Sequence, residues 1–320
     1  MQQNQTGAVD ALKVEEYSGI VEGTIERRSV LAGWVPMKRV VGTTTLSDFA
    51  IGEATLGKVE VGVPPAASGT DFAKASITVD TVVYARNTLP LLDVFQTSYD
   101  ARKEIGTEHG KKIAKFLDQS MFIQAAKAAS LAESRFSNGS AGKPTGHFGG
   151  STQTLDSAGD ATDPAKLYSA IGKLFTKMEE KDVIPGDDDV MLAFRPGYFR
   201  ALMDAEQIIN GTYVTADGTS KEGMIFKAFG CPVVMSNNIP NTNVTSHLLS
   251  NAANSNAYNG DFTKLVGLAF SARALLGGET IPLTSDVFYD KIYKTWFVDS
   301  HLAYAVTPNR AEYAGAIWLP

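Results

Sequence analysis

The sequence predicts an α+β protein of two lobes. Three observations carry that expectation: a long helical stretch near residue 100, a period-two stretch before it, and alternating strand and helix patterns after residue 164 that give way to aromatic-rich strands. The helical stretch, Gln96 to Ala132, has no proline and only Gly106 and Gly110 as weak breakers. Its larger apolar residues, Ile105, Ile113, Phe116, Leu117, Met121 and Phe122, recur along one stripe. Arg102, Lys103, Glu108, Lys111, Lys112, Lys115 and Asp118 mostly occupy the other sides. At ~1.5 Å per residue such a helix spans roughly 50 Å, which suits a strut between packing units rather than a core element of one small domain.

Upstream, residues 1–31 are rich in Gln, Asn, Gly and Glu, with isolated apolar points at Val14, Tyr17, Ile20 and Val21 and no sustained period. This reads as an arm that docks on another surface without a core of its own, or as a disordered tail. From Trp34 to Tyr84 the period is two. Val59, Val61 and Val63 alternate with Lys58, Glu60 and Gly62, and Ile77 and Val79 alternate with Ser76, Thr78 and Asp80. Pro64, Pro65 and the small residues that follow make the turn, and the Gly- and Thr-rich piece before Lys58 extends the same ribbon. An isolated two-stranded ribbon is marginal in water and exposes its edges. Two readings stand: a hairpin on the chain's own sheet, or a ribbon laid on another copy. Legs of ~15 residues rising ~3.3 Å apiece would reach on the order of 50 Å, which favours the second.

After a Gly- and Ser-rich connection (134–163), Asp163 caps a helix with Pro164 at its first position and Leu167, Ile171, Leu174, Phe175 and Met178 on one face. It should end near Lys181. Asp189 to Phe194 reads as a buried strand, followed by a turn at Arg195-Pro196-Gly197 and a short helix through Ile208. Met224 to Ser236 reads as paired strands broken at Gly230 and Pro232, and the asparagine-rich segment 237–261 as a long exposed loop. From Phe262 onward, β-branched and aromatic residues predict strands that pack on the long helix.

Composition narrows the function classes. The chain has 320 residues, 44% of them hydrophobic, a formal net charge of −6 and a pI near 5.3. It lacks the massed Lys and Arg of a surface built to grip phosphate backbones. A single cysteine, Cys231, cannot form an intrachain disulfide and reads as a small buried apolar residue. No apolar run reaches the ~18 residues of a membrane helix, and the polar N-terminus lacks a signal-peptide pattern, so a cytoplasmic setting and no membrane partner are expected. The four histidines, His109, His147, His247 and His301, lie in four regions without metal-ligand spacing. Gly142-Lys143 is no phosphate loop, because Ser137 stands where the first glycine is required and Pro144 where the hydroxyl residue is. Asp187 to Asp189 lack calcium-loop spacing. No catalytic, cofactor-binding or metal residues are assigned, and an enzyme is not expected.

The order of elements, with "DVMLAFRPGYFRALM", "FGCPVVMSNNIP" and the ending "YAVTPNRAEYAGAIWLP", resembles a tailed-bacteriophage major capsid protein of the Hong Kong 97-type fold, closest in look to short-tailed phages of the T-seven group. The resemblance implies an N-arm (1–33), an extended β-hairpin E-loop (34–84) and a peripheral P domain (85–163) with spine helix 96–132. It further implies an axial A domain (164–276) and C-terminal strands (277–320) that complete the P domain. It implies inter-subunit assembly through Thr44, Phe49, Ile51, Leu56, Lys58, Val59, Glu60, Val61 and Pro64, with Ile105, Ile113, Phe116, Leu117 and Met121 as spine core. The function it implies is the shell of a double-stranded DNA phage, assembled in the host cytoplasm from hexamers and pentamers. Because the E-loop starts by residue 40, the N-terminal scaffolding region of some members is expected to be absent and a separate scaffolding protein, with a portal, is implied. Packaged DNA would be held without sequence-specific binding. Some members crosslink subunits, and Lys58 is the ribbon lysine placed for it. An encapsulin-type compartment shares the fold and stays open, as does an unrelated cytosolic α+β enzyme.

Overall fold

The computed structural model describes residues 17, 20–25, 29–31, 33–54, 56–59, 71–90, 101–136, 146–204, 212–214, 220–222 and 227–320. An arm helix (20–25) precedes β1 (Met37–Arg39), β2 (Thr45–Ile51), β3 (Phe72–Thr78) and β4 (Val83–Pro90). The spine helix (Ala101–Ala129) is followed by β5 (Ser151–Thr154), the lobe helix (Pro164–Glu179), β6 (Met191–Phe194) and a short helix (Pro196–Asp204). Next come β7 (Thr212–Val214), β8 (Ser220–Glu222), β9 (Lys227–Ala228), β10 (Cys231–Met235), β11 (Asn243–Val244), β12 (Gly260–Asp261) and β13 (Leu265–Phe270). A long hairpin of β14 (Leu275–Asp290) and β15 (Thr295–Pro308) and then β16 (Ala314–Trp318) come last.

The lobe helix forms where its caps and stripe dictate. The Asp163 side chain accepts from the backbone N–H groups of Ala165 and Lys166, Pro164 sits at the start, and Leu167, Ile171, Leu174, Phe175 and Met178 are all buried. These residues pack on a mixed six-stranded sheet of order β5-β16-β13-β6-β10-β9. Every residue of β6 is buried, which explains its unbroken apolar run. Two local expectations change here. Pro196 starts the short helix rather than a turn, since a first-turn proline gives up an N–H that has no helical partner. Pro232 lies inside β10 opposite Lys227, and the chain reverses at Phe229 and Gly230, both of positive φ. Residues 205–208 lie outside the described residues.

The second sheet has order β1-β14-β15-β4. The spine helix lies against β15 of this sheet and β16 of the other, joining both lobes in one core that includes Phe122, Ile123, Phe270, Leu302 and Tyr304. Fully burying such side chains contributes about 1.5–3 kcal/mol each. The expected membership of the C-terminal segment needs one correction. β14 and β15 do form the sheet beside the spine, but β16 pairs with β13 and β5 in the six-stranded sheet. Its Ala314, Ala316 and Ile317 are fully inside, the alanines in the core of the spine helix and Ile317 in that of the lobe helix.

The spine helix is 29 residues long, about 44 Å. It ends at Ala129 rather than Ala132, where Ser130 makes a closing turn to Ala126 and Lys127; residues 96–100 lie outside the described residues. Ile113, Met121 and Phe122 are buried, and Ile105, Phe116 and Leu117 pack at the margin of the same core. The glycines are not weak points. A Cβ on Gly106 would stand 2.9 Å from the Tyr17 ring, and one on Gly110 2.7 Å from Thr24. They make the groove into which the arm is pressed. Tyr17, Val21, Ile25 and Leu31 are buried in the chain's own core, so this part of the arm docks at home rather than over a neighbour. Val14 lies outside the described residues.

Asp118 corrects the expectation of a charge on an outer side. It is fully buried and accepts from the Ser29 hydroxyl, from the backbone N–H groups of Val30 (3.0 Å) and Leu31 (3.2 Å), and from Asn238 Nδ2 (2.9 Å). One carboxylate therefore ties the arm and the 237–261 segment to the spine. That segment is also not the exposed loop its asparagines suggest. Ile239, Leu249 and Tyr258 are buried, and the side chains of Asn251, Asn254 and Asn259 bond to backbone groups within the loop. His247 is stacked between Phe116 and Tyr258, its ring centroid 5.0 Å from each. Burial pushes its imidazole pKa down to about 4.

Candidate assembly surfaces

The ribbon is a hairpin of β2 and β3 in antiparallel register from Thr45 opposite Thr78 to Ile51 opposite Phe72. The sequence pattern points to a different pair of legs, with Val59–Val63 as one of them. Leu56 to Val59 have no regular secondary structure, and Glu60, Val61 and Pro64 lie outside the described residues. The two ends of the 34–84 segment are not ribbon. β1 pairs in parallel with β14, and β4, from Val83, pairs with β15.

Alternation gives the ribbon two unlike faces. On one, Leu46 and Ile77 pack with Val40, Val79, Leu276, Ala303 and Ala305, while Ala50, Ala73 and Ala75 pack on Phe136. Polar tethers hold this face to the body: Asn309 Nδ2 donates to Asp48 Oδ2 (2.8 Å), Arg135 Nη2 to the Ser76 carbonyl (3.4 Å), and His147 Nε2 lies 3.2 Å from the Ile51 carbonyl. Small alanines let the ribbon lie close. On the other face stand Phe49, Ile51 and Phe72, exposed by 63%, 60% and 68%. Beyond the strand, Leu56 is 95% exposed, and Lys58 and Val59 are exposed as well. Thr44, also exposed, accepts the Val79 N–H through its carbonyl (3.0 Å) at the ribbon's base.

A second apolar surface was not singled out in the sequence. At the far end of the β14–β15 hairpin Ile292 and Tyr293 are exposed, with Phe288 stacked on Phe297 beneath them (5.3 Å). Arg86 lies over the rings of Tyr84, Phe288 and Phe297 and is paired with Asp299 at 2.6 Å. The signal was present in "DVFYDKIYKTWF", where aromatic residues fall on both faces of a hairpin. Periodicity alone does not separate an end that covers a core from one that projects beyond it.

The residues that could have pointed to chemistry are held in packing roles. Cys231 is buried, its thiol pKa pushed up to about 11 by burial. His109 is bonded to Tyr17 (2.6 Å) and Asn87 (2.8 Å) inside the core. Asp188 accepts from the Ile184 N–H and pairs with Arg273 in a turn. Among the described residues no cluster of three His, Cys, Asp or Glu side chains forms a metal site. Among them, too, no helix is long and apolar enough to cross a membrane.

Comparison with known proteins agrees with this picture of exposed apolar surfaces. The fold is similar to a capsid structure of the cyanophage P-SCSP1u, with a TM-score of 0.76 at 18% identity, covering 91% of this chain and 88% of that one. It is similar to the mature capsid of bacteriophage PhiM1, with a TM-score of 0.72 at 22% identity, covering 91% and 87%. A virus-like particle from Pyrococcus furiosus is matched at a TM-score of 0.56 and 11% identity, covering 95% and 99%. No curated relative matches. The fold is thus the Hong Kong 97-type capsid fold. The Gp10A-like model, described as a major capsid protein, matches residues 76–277, and the chain belongs to that family: it is a structural shell protein of a tailed phage virion, not an enzyme.

Proposed function

We propose that copies of this chain close an icosahedral head around double-stranded DNA through hexamers and pentamers, with the ribbon of each copy laid over its neighbour. The observation that carries this reading is the two-faced ribbon: its small-residue face is fixed to the parent body while Phe49, Ile51 and Phe72 stand in water on the other. Covering three such side chains stabilises a contact by about 1.5–3 kcal/mol apiece, a modest gain per copy that a closed symmetric shell multiplies. Leu56, Lys58 and Val59, exposed just beyond the strand, and Glu60, Val61 and Pro64 after them in the sequence belong to the same proposed contact.

In this reading residues 1–33 are the N-arm, 34–84 the E-loop apart from β1 and the start of β4, 85–163 the spine-bearing P domain, 164–276 the axial A domain and 277–320 the segment that completes the peripheral sheet, apart from β16. A separate scaffolding protein and a portal take part in assembly, which runs in the bacterial host cytoplasm, and the likeness to the T-seven group belongs to the same proposal. The net charge of −6 suits a container that does not grip its genome. An encapsulin-type compartment shares the fold, but the family match and the higher TM-scores to phage capsids favour the phage head.

The test is the double substitution Phe49→Ser with Ile51→Ser. The subunit should remain folded, and closed particles should disappear from electron micrographs of the expressed chain with its scaffold. Intact particles at normal yield would refute the ribbon's role.

A further inference from the structure

Beneath the outer end of the ribbon, where Ile51 lies opposite Phe72, is a buried histidine–glutamate pair that none of the assembly contacts uses. His147 precedes the Phe148–Gly150 crossing beside the end of the spine helix, and Glu312 lies in the 3-10 turn Ala311–Tyr313 just before β16. Their side chains are 8% and 5% exposed, with His147 Nδ1 3.5 Å from Glu312 Oε1. The other ring nitrogen, Nε2, lies 3.2 Å from the Ile51 carbonyl, the last residue of β2. A carbonyl only accepts, so the ring must carry its hydrogen on Nε2. A neutral ring then turns a lone pair on Nδ1 toward a carboxylate. Two acceptors face one another unless a proton sits between them. Neither Nδ1 nor Glu312 Oε2 has a hydrogen-bond partner among the described residues.

We propose that His147 is a proton-operated latch: when its ring is doubly protonated it donates at once to Glu312 and to the Ile51 carbonyl, clamping the ribbon's outer end to the C-terminal segment, and when it loses the Nδ1 proton the clamp opens at Glu312. The surroundings balance. Glu53 packs its side chain against Gly146, next to the ring, on the ribbon side. Lys181, near Glu312, is held by the Gly149 and Gly150 carbonyls and Ser151 Oγ. Arg310 lies over Phe136, whose ring is 5.5 Å from the imidazole, and Arg135 is committed to Thr307, the Pro308 carbonyl and the Ser76 carbonyl. Glu312 stands within ion-pair distance of the ring. The bridge needs the proton on Nδ1, so acid favours it and alkali removes it. The latch concerns how the ribbon sits on its own body, and so stands apart from what its outer face touches.

The test uses the unassembled full-length chain with nitroxide labels at Lys74→Cys on the ribbon and Lys173→Cys on the lobe helix, both exposed positions; buried Cys231 does not compete. The ribbon-to-lobe distance distribution, measured by pulsed electron resonance at about pH 8 and about pH 5.5, should narrow on acidification in the labelled parent. It should keep one width at both pH values in Glu312→Gln and in His147→Gln. The latter retains an N–H donor for Ile51, so it serves even where Glu312→Gln fails to fold. An unchanged width in the parent, or full narrowing in His147→Gln, would overturn the latch.

Discussion

The spine helix and the ribbon are near neighbours in the sequence and are buried in opposite ways. From Ser120 to Ala126 every residue of the helix is buried, because the arm, the asparagine-rich loop and strands of both sheets surround it. The ribbon is buried on one face only, through alanines, and holds its large residues outward. The first arrangement belongs to a part that completes a fold, the second to a part that completes a contact. Substitutions in the two regions should therefore separate folding from assembly.

The largest effect is expected at the spine. Met121→Lys places an unpaired charge where the side chain is 3% exposed, and a penalty of several kcal/mol should leave little soluble folded chain, read as loss of the cooperative melting transition. Asp118→Ala comes next. Removing the carboxylate strands buried donors from Val30, Leu31 and Asn238, at a cost of about 3 kcal/mol, and should release the arm to limited proteolysis before the body melts. A milder effect is expected from pH. The pKa of His247 is depressed to about 4 in the fold, so its neutral form contributes stability that is full above the ordinary histidine range and is lost as pH falls from about 6.5 through 4. His247→Leu should flatten the melting curve's pH dependence over that window. The smallest effect on the fold belongs to the ribbon's outer face: the Phe49 and Ile51 substitutions should shift stability by no more than about 0.5 kcal/mol while abolishing particles. A melting loss there as large as at Asp118 would erase the distinction.

Legibility followed the same divide. The lobe helix was readable in full because its cap, proline and stripe are all local. The spine's existence was readable, but its surroundings were not. Gly106 and Gly110 look like breakers until Tyr17 and Thr24 are seen in the space they leave, and Asp118 looks like a surface charge until partners about ninety residues upstream and 120 residues downstream arrive. The ribbon was legible in part: the expected Ile77 leg is β3 and the Gly- and Thr-rich extension supplies its partner, but "TLSDFAI" alternates less clearly than Val59–Val63, which lies mostly outside the described residues, because its threonine, serine and alanine serve close approach to Phe136. The asparagines of 237–261 signalled a loop correctly. Their composition could not say that the loop spends its amide groups on its own backbone and sends Leu249 and Tyr258 inward.

The position of β16 bears on timing. It stands between β5 and β13, inside a sheet whose other strands are all made before it, and its alanines also face the spine. A nascent chain stopped short of residue 314 lacks the strand that joins β5 to β13 and leaves both cores incomplete. The ribbon emerges from the ribosome more than two hundred residues earlier, with its apolar face already in water. Completion of the body thus waits on a strand translated more than two hundred residues after the ribbon, which holds the capacity to assemble back until that strand is in place.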